Sequence, residues 1–96
     1  MWERLRNSGV DTEYRLDVNP KLGKKLPKLT PWQIDAIDSK TVEILRHPHH
    51  FKNLRGAQKH LKRVHINSHF VLLFSVDEQN KIVRLEDFLH HDEAYR

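Results

Sequence analysis

The chain is organised around residues 54–78, with the sequence LRGAQKHLKRVHINSHFVLLFSVDE. A Leu54-Arg55-Gly56 turn opens this stretch, and a basic segment over residues 61–67 follows it. The polar pair Asn67-Ser68 separates that segment from the most apolar run of the chain, residues 69–76. Two β-rich segments with a short polar break between them predict a β-hairpin. The near-continuous apolar run predicts a central strand that is buried on both faces.

The turn of this hairpin decides which histidines share a face. If Asn67-Ser68 is a two-residue loop, Ile66 pairs with His69 and His65 pairs with Phe70. Because side chains alternate along a strand, His65 and His69 then lie on opposite faces. A bulge or a three-residue turn would bring the two histidines together.

Helix signals precede the hairpin, and a further strand follows it. Residues 14–18 alternate as a short strand, and Asn19-Pro20 begins a short basic helix that Pro27 ends or kinks. Thr30 and Gln33 match a capping box for a helix over residues 31–46, which Pro48 stops. Residues 47–59 read as a loop, and residues 82–88 as a more exposed strand.

This order predicts an α+β domain in which two N-terminal helices pack on one face of a small, mainly antiparallel four-stranded sheet (β-α-α-β-β-β). The other face is then open to solvent or to a ligand. We expect one domain over residues 13–96, preceded by an N-terminal extension over residues 1–12.

Composition narrows the functional classes. The 96 residues carry 17 Lys and Arg against 13 Asp and Glu, for a net charge of +4, which prompts a polyanion hypothesis but also fits simple solubility. The absence of Cys excludes disulfides, thiolate zinc sites and a Cys nucleophile. The N-terminal segment lacks the apolar stretch typical of a signal peptide, and no apolar run reaches 18 residues, so we expect a cytoplasmic protein with no membrane association.

Taken in order, several short segments resemble the RelE/ParE superfamily of toxins, in particular its RelE/YafQ-like branch. The resemblance covers about residues 13–96. It rests on Asn19-Pro20 with the Leu-Lys helix that follows, Leu54-Arg55-Gly56, Arg63-Val64-His65-Ile66, and residues 70–74 and 90–95.

The resemblance implies a toxin from a type II toxin–antitoxin system. RelE-like toxins cleave mRNA at the ribosome as metal-independent endoribonucleases, inhibit translation, and are silenced by a cognate antitoxin. They need no cofactor. Two alternatives stay open: a ParE-like poison of DNA gyrase, and a catalytically inactive binding module that keeps the RelE fold.

Residue by residue, the resemblance points to a histidine-based site. His65 and His91 match site histidines of the YafQ branch, and Tyr95 matches the C-terminal Tyr of the RelE branch. Arg63 and His69 stand where the YafQ branch has site aspartates, and Lys52 stands where it has a loop histidine. The match therefore supports the reaction class more than the detailed mechanism.

The chemistry of RNA cleavage without a metal needs a base for the 2′-hydroxyl, an acid for the leaving 5′-oxygen, and cations for the phosphorane charge. Histidine suits the first two roles, and Lys and Arg suit the third. We favour His65 with His91 over His65 with His69. The predicted catalytic set is His65, His91, Tyr95, Arg63 and His69, and the predicted RNA-binding set is Lys52, Arg55, Lys62, Lys24 and Lys25.

Each of these roles has a structural alternative. Tyr95 could instead be a packing cap on the sheet, and the lysines of the first helix could be a solvated face. The cluster His47, His49 and His50 suggests a metal site, but no carboxylate or Cys stands at ligand spacing in the same loop. We expect no metal there, and a role in pH sensing or RNA contact is at least as plausible.

Overall fold

The computed structural model describes residues 13–94. The predicted extension over residues 1–12 and the predicted site residue Tyr95 lie outside this range. The described helices and strands, in chain order, are β1 (Arg15–Val18), α1 (Pro20–Lys25), α2 (Pro31–Arg46), β2 (Lys62–Ile66), β3 (Phe70–Asp77), β4 (Ile82–His90) and α3 (His91–Ala94). Short 3-10 turns lie at Leu26–Lys28, Pro48–His50 and Gly56–Gln58.

The strands of residues 13–94 form one sheet with the order β1-β4-β3-β2. The β2–β3 and β3–β4 pairs are antiparallel, and β1 pairs in parallel with β4. The predicted α+β class, the strand and helix order, and the central position of the apolar strand are thereby confirmed. Strand β2 lies at one edge of the sheet, which matters for the site.

The helices begin and end where the local signals place them. Asn19 accepts a hydrogen bond from the Lys21 backbone N–H at the start of α1, and Pro20 occupies the first turn. Thr30 and Gln33 form the predicted capping box of α2. This longer helix ends at Arg46, as predicted, because Pro48 cannot continue it.

The core lies between these helices and one face of the sheet. Leu22 of α1 and Ile37 and Ile44 of α2 are fully buried against strand residues that include Leu72 and Phe74. A smaller apolar cluster covers part of the opposite face, which is therefore less open than predicted: Leu54, Val71, Leu73 and Ala94. Within residues 13–94, no helix is long and apolar enough to cross a membrane.

A β-bulge explains why β4 alternates poorly in the sequence. Leu73 pairs with Asp87 and Phe74 pairs with Leu85, so Glu86 is an extra residue in β4. Leu85 and Phe88 both belong to the helix-side core although three positions separate them. The inserted residue resets the alternation between them, as bulges do.

Candidate active site on the sheet face opposite the helices

The β2–β3 hairpin has a three-residue turn, which is one of the alternatives that the sequence left open, and the two-residue loop is not formed. Ile66 pairs with Phe70 and His65 pairs with Val71, which leaves Asn67, Ser68 and His69 in the turn. Asn67 has a φ of 53°, and its side chain accepts a hydrogen bond from the His69 backbone N–H at 2.7 Å. Asparagine tolerates this left-handed conformation, which stabilises the tight turn.

This register places His65 on the sheet face opposite the helices. Its neighbours Val64 and Ile66 point into the helix-side core, and its partner Val71 belongs to the smaller apolar cluster. His91, at the start of α3, lies against it: the two imidazole rings stack with centroids 5.6 Å apart and planes 30° from parallel. The pair that we favoured from the sequence is therefore assembled in the fold.

The surroundings of His65 favour its neutral form. Partial burial lowers the pKa of His65, and the positive charges of Arg63 and His91 lower it further. Arg63 precedes His65 by two residues on β2, so both side chains leave the same face of the sheet. A neutral imidazole beside a guanidinium combines a proton acceptor with an anion-binding group.

His69 joins a different pair. Its ring stacks on that of His90 with centroids 6.4 Å apart, and its backbone carbonyl accepts a hydrogen bond from the His91 N–H. His90 also contacts Phe70, whose ring stacks on Phe88 of the helix-side core. The three-residue turn thus does not bring His65 and His69 together. Although His90 and His91 are adjacent in the chain, their rings therefore belong to different stacked pairs.

A loop docks on the outer edge of β2 beside these residues. The Arg63 N–H donates to the Lys52 carbonyl at 3.1 Å, and the Leu54 N–H donates to the Leu61 carbonyl at 2.8 Å. The Lys62 ammonium donates to the Phe51 carbonyl and to the Asn53 side chain, at 3.1 and 2.9 Å. Lys62 therefore fixes the loop, and two of its ammonium hydrogen bonds are made within the protein.

Between this loop, α2 and β2 lies an open pocket of about 370 Å³. Its lining combines cationic, histidine and apolar side chains: Lys40, His50, Phe51, Lys52, Arg63, Val64 and His65. Lys52 was predicted from the sequence as a binding residue, and His50 was singled out there as one of three clustered histidines, whereas Lys40 and Phe51 were not predicted. Arg55 is exposed in the same loop and directly precedes Gly56, whose φ of +70° suits glycine.

The lysines of α1 divide into two groups. Lys25 donates to the carboxylate of Asp87 at 2.7 Å, and Lys21 lies 3.1 Å from the other oxygen of the same carboxylate. Lys24 is exposed. Burial would raise the pKa of Asp87, but the hydrogen bonds from Lys25, Lys21 and the Phe88 N–H together lower it. Lys25 thus connects α1 to β4.

A polar cluster stands at the β3–β4 turn. Tyr14 donates to Glu78 at 2.7 Å, His49 lies 2.8 Å from the same carboxylate, and Lys81 pairs with it as well. These contacts, led by that of Lys81, lower the pKa of Glu78 to about 2. Within residues 13–94, no group of three or more His, Asp or Glu side chains is placed to hold a metal ion.

Comparison with known proteins agrees with this architecture. The chain is 46% identical over 86 residues to the candidate toxin RelE4 of Methanocaldococcus jannaschii, covering 86% of this chain and 92% of that protein. The chain belongs to the RelE family of toxins. It is also 47% identical over 85 residues to an uncharacterised protein of Methanosarcina mazei, covering 85% and 99% of the two chains. No family model matches the sequence.

Solved structures show the same fold at lower identity. The toxin–antitoxin complex RelBE2 of Mycobacterium tuberculosis matches with a TM-score of 0.71 at 20% identity, covering 83% of this chain and 93% of that one. A mutant of Escherichia coli RelE bound to a peptide of the antitoxin RelB gives 0.71 at 23%, covering 85% and 90%. Escherichia coli YafQ gives 0.66 at 11%, covering 88% and 100%. The predicted family and fold are confirmed, and the roles of the individual site residues stay predictions.

Proposed function

We propose that this RelE-family toxin is a metal-independent endoribonuclease that cleaves mRNA at the ribosome and so inhibits translation. The observation that carries this proposal is the stacked pair of His65 and His91 beside Arg63 on the sheet face opposite the helices. Two imidazoles with centres 5.6 Å apart can reach the entering and the leaving oxygen of one phosphodiester. A toxin that poisons gyrase needs no such acid–base pair.

The reaction uses the RNA's own 2′-hydroxyl as the nucleophile. His65, whose pKa is lowered by burial and by the charges of Arg63 and His91, accepts the 2′ proton as the 2′-oxygen attacks phosphorus. His91 donates a proton to the departing 5′-oxygen as the P–O5′ bond breaks. The products are a 2′,3′-cyclic phosphate and a 5′-hydroxyl, and Arg63 neutralises charge on the phosphorane.

The partners follow from the family and from the charge. The structures of RelBE2 and of RelE with a RelB peptide are toxin–antitoxin complexes. We infer that this chain likewise belongs to a toxin–antitoxin system and is silenced by a cognate antitoxin. The net charge of +4 suits binding to the ribosome and mRNA, with Lys52, Arg55 and Lys24 as exposed cations. No cofactor enters the mechanism.

The test is induced expression of the wild type beside His65→Ala and His91→Ala, with cellular mRNA mapped by primer extension. We expect the wild type to stop growth and to create new mRNA 5′ ends. Each substitution should slow cleavage by roughly 100- to 10,000-fold, because each removes one acid–base group. His60→Ala, an exposed histidine in the loop before β2, serves as the matched control and should cleave normally.

Three results would contradict the proposal in different ways. Growth arrest with intact mRNA and altered DNA supercoiling would indicate a gyrase poison. A folded but harmless wild type would indicate an inactive binding module. Normal cleavage by both His variants would leave the ribonuclease in place but remove its assigned site.

A further inference from the structure

The charged side chains that line the pocket beside His65 are all positive. Lys40, Lys52 and Arg63 contribute three permanent positive charges, His50 and His65 contribute two imidazoles, and the lining includes no Asp or Glu. Lys40 itself pairs with Glu43, whose carboxylate lies 3.4 Å from the Lys40 ammonium on the exposed surface of α2. Such an exposed pair holds its partners weakly, so Lys40 remains available to a stronger anion.

The pocket is also preformed. The loop that carries His50, Phe51 and Lys52 is fastened to β2 by the Arg63–Lys52 backbone bond and by the Lys62 ammonium. The Phe51 ring packs edge-on against Phe74 of the core, with centroids 5.6 Å apart. Little conformational entropy is therefore lost when a ligand binds, which favours affinity.

The position of the pocket relates it to the cleavage site. Arg63 and His65 line the pocket from β2, and Lys40 lines it from α2. The pocket therefore extends around the β2 edge of the sheet, starting at the face on which His65 stacks with His91. Its volume of about 370 Å³ is near the lower end of small-ligand sites, which span about 300–1,000 Å³. It has room for one nucleotide rather than several.

We propose that this pocket is a subsite for the nucleotide that flanks the scissile phosphate, with the flanking phosphate held by Lys40 and Lys52 and the base stacked on His50. The proposal rests on the function proposed above, and it adds Lys40 and His50 as binding residues. Lysine side chains bind phosphate, and an exposed aromatic ring can stack on an unpaired base. The Phe51 ring lies edge-on to the His50 ring, with centroids 5.4 Å apart, and adds apolar surface to the pocket.

The test is binding of 2′-fluoro oligonucleotides, two to six nucleotides long, to the intact chain. These probes lack the attacking hydroxyl and cannot be cleaved. Fluorescence anisotropy measures the affinity, and amide chemical shifts locate the probe. We expect wild-type affinity to rise when the probe extends beyond two nucleotides, with shifts at Lys40, His50 and Lys52.

The variants separate phosphate binding from stacking. Lys40→Gln and Lys52→Gln should each weaken the longer probe about 5-fold and should reduce its salt dependence, since each removes one phosphate contact. Each phosphate contact to a single strand weakens binding by about 2.6-fold when the salt concentration rises from 50 to 200 mM. A variant that has lost one contact should therefore lose about that factor less affinity over the same range. His50→Ala should weaken the longer probe about 5-fold or more without changing the salt dependence.

The matched control is Arg15→Gln, which removes one exposed positive charge from β1 at the opposite edge of the sheet. Equal losses in Lys40→Gln and Arg15→Gln would overturn the proposal, because binding would then depend on net charge alone. Shifts confined to residues outside the pocket would overturn it as well. Thermal unfolding of each variant checks that the exposed substitutions leave the fold intact.

The two proposals fail in distinguishable ways. Pocket shifts and a length-dependent affinity with no mRNA cleavage by the wild type would support nucleotide binding by Lys40, His50 and Lys52 and would remove the ribonuclease. If Lys40→Gln and His50→Ala cleave mRNA like the wild type, and the probes shift no pocket amides, the ribonuclease is supported and the subsite is removed.

Discussion

Replacing Asp87 with Asn tests what holds α1 against the sheet. Asp87 is 4% exposed, and its carboxylate accepts hydrogen bonds from the Lys25 ammonium and from the Phe88 N–H. Asn can still accept the backbone N–H, so the substitution removes mainly the charge. A hydrogen bond to a charged group contributes about 1.5–3 kcal/mol. Lys25 is 36% exposed and can return to water, and Lys21 is 68% exposed and adds little.

The expected loss in the free energy of unfolding is therefore about 1.5 kcal/mol at neutral pH, at the low end of the range for charged hydrogen bonds. For a chain of this size, that loss lowers Tm by about 6–12 °C. Urea unfolding and thermal unfolding followed by circular dichroism measure both quantities. Asp35→Asn, on the exposed surface of α2, is the matched control and should change the free energy of unfolding by less than about 0.5 kcal/mol.

The pH dependence gives a sharper test. The folded-state pKa of Asp87 lies below its usual value of 3.8, so its stabilising contribution is present above that value and is lost as the pH falls through the folded pKa. The difference between wild type and Asp87→Asn should therefore be largest above about pH 5 and should shrink as the wild-type carboxyl protonates. A difference that stays constant from pH 7 to pH 2.5 would refute the ion-pair explanation.

Three further predictions concern the core, the β3–β4 turn and the site. Phe74→Ala, at a fully buried position, should lower the free energy of unfolding by about 3–5 kcal/mol in urea titrations, and a loss under 1 kcal/mol would contradict its central place in the core. The ionised Glu78 carboxylate stabilises the fold, and this contribution is lost as the pH falls from about 4.5 towards 2. Glu78→Gln should therefore have a lower Tm than the wild type at neutral pH, and the difference should shrink over that acidic range when Tm is measured against pH. Arg63→Gln should move the acidic limb of the cleavage rate profile to higher pH, because Arg63 helps to lower the pKa of His65, and an unmoved limb would argue against His65 as the base.

Much of the site could be predicted because its residues lie on one strand and at the end of another. The apolar run over residues 69–76 required a central strand, which placed the His65 strand beside it. The resemblance to RelE-like toxins supplied the C-terminal partner His91. Lys40 could not be found in this way, since a helix lysine shares no period with β2, and the sequence offered His50 only as one of three clustered loop histidines.

The turn shows how a small local difference changes the outcome. A third loop residue moved His69 out of the β-ladder, and it stacks on His90 rather than on His65. The sequence Asn67-Ser68-His69 carries no signal that separates a two-residue from a three-residue loop as clearly as Asn-Gly would. The packing of Phe70 on Phe88 is consistent with the observed register, because it buries Phe88 and part of Phe70.

The sequence by itself determined the elements whose signals are local. Pro20, Pro31 and Pro48 and the capping box of Thr30 and Gln33 set the helix limits through contacts within a few residues. Only the tertiary structure decided the contacts between distant residues: Lys25 with Asp87 across 62 positions, and the loop of Phe51 on β2. The physical reason is that capping and chain stiffness act within one turn, whereas long-range pairs depend on how whole elements pack.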